Sequence, residues 1–88
     1  MPEFLLELYV ARSDGDGVER AVAGARLAAE ALTRDGTPVR CLSSIFVPED
    51  ETCFLLYEAA SEDLVREAAL RAALAFERIT AASLPLKV

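Results

Sequence analysis

The apolar residues of this chain alternate between two periods, and the order of those periods restricts the fold more than any single motif does. Over the run Glu3 to Ala11, Phe4, Leu6, Leu8 and Val10 share one side and Leu5, Glu7 and Tyr9 the other. That is the period of two expected of a strand. From Val18 the spacing becomes 3.6, through Val18, Ala21, Val22, Ala25, Ala29 and Leu32, as on the buried stripe of a helix. The segment ARSDGDG before it is turn-rich, Asp16 and Glu19 have capping-box spacing, and Asp35-Gly36 supplies a left-handed stop, so a helix is expected over 16–35. Pro38 opens a second period-two run to Val47, Pro48 to Glu51 reads as a hairpin loop, and Thr52 to Ala59 is a third strand. Ser61 with Glu62 and Asp63 is an N-terminal helix signal. It predicts a second helix over 61–74, with Leu64, Val65, Ala68, Ala72 and Ala75 turned inward. Phe76 to Ala81 closes the order as a short fourth strand.

This order, βαββαβ, is that of a ferredoxin-like α+β domain: a four-stranded antiparallel sheet, strand one beside strand three, with two helices on one face. Residues 1–82 form the expected single domain, and 83–88 a C-terminal tail. A chain of 88 residues is one domain's worth, burying only somewhat more than about 60% of its unfolded surface. Its 53% hydrophobic content exceeds the usual range of about 45–50%. No apolar run reaches the roughly 20 residues of a membrane-spanning helix, and the N-terminus has no basic leader region. A cytoplasmic protein without a membrane partner is expected, and the apolar surplus points to an interface.

A net charge of −6 opposes a phosphate backbone, and no cluster of cations offsets it along the chain, so nucleic acid is not an expected partner. The sequence holds no His. It therefore lacks the commonest metal ligand and the usual general base near neutral pH.

If Val47 pairs with Thr52 across the hairpin, Phe46 faces Cys53, Ser44 faces Leu55 and Leu42 faces Tyr57. With an assumed register for strand one, the helices should cover Phe4, Leu6, Leu8, Val10, Phe54 and Leu56, together with Val39, Cys41, Ile45 and Val47. The open side should carry Leu5, Glu7, Tyr9, Arg40, Leu42, Ser44 and Phe46, with Cys53, Leu55 and Tyr57. Such a mixture of apolar and polar groups suits a dimer interface or a pocket. The candidate ligand-binding residues are Glu7, Tyr9, Arg40 and Tyr57; no catalytic residue is assigned. In the same register Cys41 and Cys53 lie on opposite faces about 16 Å apart along the strand, which forbids a disulfide. The acidic groups at Asp14, Asp16 and Glu19, and at Glu49, Asp50 and Glu51, match no calcium-loop spacing and read as capping and solvated loops.

The segments MPEFLLELYVAR, SIFVPEDETCFLLYEA and SEDLVREAALRAAL together resemble a family of small bacterial proteins classed by a domain of unknown function. That family includes actinobacterial nickel-binding, ferredoxin-like homodimers. The resemblance implies the fold, a homodimer and a divalent metal, nickel, as ligand. Relatives place histidines near the end of strand one and in the second helix. Here the helix reads Val65-Arg66-Glu67-Ala68-Ala69-Leu70-Arg71, so no ligand set transfers and the metal ligands are unknown. The expectation is a homodimeric binding protein for nickel or another divalent cation. The alternative is a dimeric α+β-barrel enzyme or carrier, of the monooxygenase or cyclase kind, that holds a small organic ligand over the open sheet face.

Overall fold

The computed structural model describes residues 1–83. The tail expected at 83–88 lies, from residue 84 on, outside the described residues. Seven elements follow one another: β1 (Glu3–Tyr9), α1 (Gly17–Arg34), β2 (Val39–Val47), a 3-10 turn (Pro48–Asp50), β3 (Thr52–Ala59), α2 (Glu62–Arg71) and β4 (Phe76–Ala82). The strands form one antiparallel sheet in the order β2-β3-β1-β4, which is the ferredoxin-like arrangement. Its Cα extents of 37 × 36 × 18 Å are those of two layers, a sheet and the helices on one side of it.

Local chemistry sets the element ends. Gly36 takes φ +96°. The Gly36 amide donates to the Thr33 carbonyl and the Thr37 amide to that of Leu32, so the predicted stop of α1 is a Schellman turn. At its other end the expected capping box is not made. Asp16 occupies the cap position without a side-chain hydrogen bond, while Asp14 is drawn to Arg20 at 2.6 Å. Gly17 sits where β1 passes closest: a Cβ there would lie 2.7 Å from Val10 Cγ1 and 2.9 Å from Asp14 Oδ2.

Helix α2 starts as predicted, with Ser61 Oγ accepting from the Leu64 amide at 3.4 Å. It ends three residues early because Ala73 turns left-handed, φ 57°, in a second Schellman turn closed by Leu74 N–H to the Ala69 carbonyl. No Gly, Asn or Pro marks this stop. The inward residues are Val65, Ala68 and Ala69; Ala72 becomes the cap and Ala75 lies beyond the helix.

Alanine dominates the buried helix faces, at Ala21, Ala25 and Ala29 of α1 and at Ala68 and Ala69 of α2. These short side chains let both helices sit close to the larger sheet residues Leu6, Leu55, Tyr57 and Val39, all at or near zero exposure. Among the described residues no charged side chain is buried.

Candidate functional site

Strand register decides which side chains the uncovered face presents. The hairpin pairs Val47 with Thr52, Phe46 with Cys53 and Ser44 with Leu55, as the loop length predicts. Leu42 is then an extra residue: Ser43 pairs with Leu56, whereas Cys41 pairs with Tyr57 and Arg40 with Glu58. A bulge of this kind reverses the parity of everything before it. Strand β1 pairs Leu6 with Leu55 and Leu8 with Cys53, and residues directly opposed in an antiparallel pair share a face. Cys53, Leu55 and Tyr57 therefore lie beneath the helices. Phe54, Leu56 and Ile45 lie on the open face with Leu5 and Glu7.

The assignment of β3, and of β2 beyond the bulge, is thus the reverse of the one expected: Ile45 and Val47 share the open face with Phe54 and Leu56, Ser44 and Phe46 share the covered side with Cys53 and Leu55, and Tyr57 moves from the open face to the core. The cue was the end residues of β3. Thr52 and Glu58 are in phase with Phe54 and Leu56, which marks that set as the wetter side.

Of the four candidate residues, Glu7, Tyr9 and Arg40 do point to the open face. They do not form one pocket. Glu7 faces Arg78 across the β1–β4 ladder, with Oε1 3.4 Å from Nε. Arg40 faces Glu58, with Nη1 3.4 Å from Oε1. Because Arg40 is level with Glu58 and hence with Glu3, Tyr9 lies six residues further along β1, roughly 20 Å away. Tyr9 instead belongs to the loop end, where its hydroxyl donates to Glu51 Oε2 at 3.5 Å. The same carboxylate accepts from the Arg12 amide at 2.9 Å. Between the two ion pairs a shallow concavity of about 310 Å³ is lined by Leu5, Ser43, Ile45, Phe54, Leu56 and Ala82, among others. Ile45 is 63% exposed there.

The covered side holds a second concavity, of about 460 Å³, between α1 and the start of β2. Its lining includes Arg26, Arg34, Arg40, Ala29, Val39 and Cys41. Cys41 is half-buried and free; Cys53 is fully buried and free. The bulge at Leu42 brings both to the same side of the sheet, not to opposite sides as the regular hairpin implied. Burial raises both thiols above their ordinary 9.0; for Cys41 the charge of Arg26 partly opposes this and Cys53 adds to it. Tyr57 is raised strongly, chiefly by burial and then by Cys41. Its hydroxyl is the buried side-chain polar atom that meets no hydrogen-bonding group among the described residues.

No three of the Cys, Asp and Glu side chains among the described residues converge into a metal-binding group. The acidic residues of the two loops are used locally, as when Asp14 binds Arg20 and Glu51 caps the end of β1. Also among the described residues, no helix is long and apolar enough to cross a membrane.

No family model and no curated protein matches the sequence. The fold recurs in a solved structure. A crystal structure of SCO4226 from Streptomyces coelicolor A3(2) superposes with a TM-score of 0.71 over 98% of this chain and 99% of that one. At 20% identity the likeness establishes the βαββαβ architecture over the length of the chain.

Proposed function

We propose that this protein is a non-enzymatic homodimer that closes through its open sheet face and binds a small ligand or divalent cation in the assembled state. The observation behind this reading is the apolar stripe Leu5, Ile45, Phe54 and Leu56. It crosses a face that the chain's own helices leave bare, and it is framed by the pairs Arg40–Glu58 and Glu7–Arg78. The arginines stand on the outer strands and the carboxylates on the inner ones, so the rim offers both signs of charge to a second copy. A self-complementary contact about a two-fold axis needs such a rim.

Nickel enters this reading through the family resemblance. Glu7 and Glu58 are carboxylates of this face, each already held by an arginine, and no ligand triad forms among the described residues of one chain. A cation would therefore draw its ligands from both copies. The binding reading is favoured over the enzymatic alternative because the candidate residues Tyr9, Arg40 and Tyr57 do not come together above the sheet. Tyr57 is buried on the other side, and Tyr9 and Arg40 stand at opposite ends.

Light scattering coupled to gel filtration tests the assembly. The expected mass is twice the 9.5 kDa of one chain, and Ile45→Asp should return it to the single-chain value. A wild-type monomer at micromolar concentration refutes the dimer. Calorimetric titration of the metal-free protein with nickel tests the cation separately: no saturable heat removes it.

A further inference from the structure

A different part of the molecule carries an inference that goes beyond the sheet-face reading. The groove of about 460 Å³ between α1 and the edge strand β2 falls within the range of about 300–1,000 Å³ typical of small-ligand sites. Its floor is apolar, made by Ala29, Val39 and Cys41, and Arg26, Glu30, Thr33 and Arg34 of α1 line its wall. Arg40 borders it too, but its guanidinium is turned to Glu58 on the open face, so Arg26 and Arg34 are the cations the groove offers.

The ion pairs of the described residues engage Arg20, Arg40, Arg66, Arg71 and Arg78. Arg26 and Arg34, two turns apart on α1, close none, and Glu30, between them on the same helical face, also lines the groove. Two guanidinium groups outside any ion pair thus stand against one carboxylate, and beside an apolar floor they complement a carboxylate carried on an apolar body, which they can hold through paired N–H donors.

Behind this floor, outside the groove's lining, Tyr57 is opposite Cys41 in the ladder and fully buried, and its hydroxyl has no partner among the described residues. A buried polar atom left this way costs stability. The walls themselves are braced: Thr33 Oγ1 donates to the Val39 carbonyl at 2.9 Å and accepts from the Val39 amide at 3.1 Å, fixing the end of α1 to the start of β2.

We infer that the α1–β2 groove binds an organic monoanion with an apolar tail, its carboxylate held by Arg26 and Arg34 and its tail against Ala29, Val39 and Cys41. Octanoate is the probe, titrated below its micelle concentration into the full chain. Calorimetry should show one saturable site per chain. Octanol, which has the same tail and no charge, should bind at least about tenfold more weakly, the scale of a lost charge-assisted hydrogen bond.

Arg26→Gln with Arg34→Gln should weaken octanoate by a similar factor. Both positions are exposed, so the fold persists, which circular dichroism verifies. A second readout is the thiol: octanoate should slow alkylation of Cys41 by iodoacetamide, while buried Cys53 reacts in neither state. Arg66→Gln with Arg71→Gln on α2, which removes the same charge away from the groove, should change neither result. The inference is overturned if octanoate gives no saturable heat, if octanol binds as well, if the Arg26 and Arg34 variants bind normally, or if the α2 variants weaken octanoate as much.

Discussion

Replacing Tyr57 with Phe should make the protein more stable, against the usual outcome of changing a fully buried residue. The tyrosine side chain is at 0% exposure, packed among the sheet and helix residues of the core, and its hydroxyl meets no hydrogen-bonding group among the described residues. Phe keeps the ring and its dispersion contacts and deletes the oxygen alone. A buried polar group without a partner costs about 1–3 kcal/mol; taking the low end, because removing the oxygen leaves a small gap, the expected gain is about 1 kcal/mol. For a domain of this size that corresponds to a rise in Tm of about 4–8 °C. With a urea m-value near 1 kcal/mol/M it moves the unfolding midpoint up by about 1 M. Urea and thermal unfolding followed by circular dichroism, on wild type and Tyr57→Phe side by side, read both quantities. A variant less stable than wild type would show that the hydroxyl is hydrogen-bonded in solution.

The upward pKa shifts of Cys41, Cys53 and Tyr57 have a common sign. As pH rises past 9.0 and then 10.0, their ordinary values, the unfolded chain releases these protons while the folded chain keeps them. Stability is therefore full below about pH 9 and falls above it, by up to about 1.4 kcal/mol per pH unit for each group. Urea midpoints at pH 7, 9 and 11 should show the decline, with a shallower one in Tyr57→Phe; equal midpoints would contradict it. Gly17→Ala should destabilise by about 1–3 kcal/mol as an overpacking change, since its Cβ would meet Val10 Cγ1 at 2.7 Å; an unchanged Tm would show that the end of β1 gives way freely. Ala73→Gly should stabilise by about 1 kcal/mol, because an L-residue at φ 57° carries a left-handed penalty that glycine lacks; a lower Tm would mean that its methyl group packs.

The sequence by itself determined the elements and their order. Period-two runs with Thr and aromatic residues can bury a face only as strands, and the 3.6-period run Ala21, Ala25, Ala29, Leu32 only as a helix. Gly36 and Ser61 marked ends through chemistry local to the backbone. The hairpin register followed from the loop length, and the bare sheet face from having two helices for four strands. What only the tertiary structure decided was parity. A strand's two sides are interchangeable until its neighbour's register is known, and a slip of one residue exchanges them. Thus Glu7 and Arg40 were legible as residues of the open face, but Tyr57 was not legible as a residue of the core. The bulge at Leu42 and the left-handed Ala73 have no local signature, since both are imposed by packing that the flanking segments make with distant parts of the chain. The groove beside Arg26 and Arg34 was invisible for the same reason. In the sequence these are two cations two turns apart on one helix, and only the docking of α1 against β2 sets them beside Val39 and Cys41.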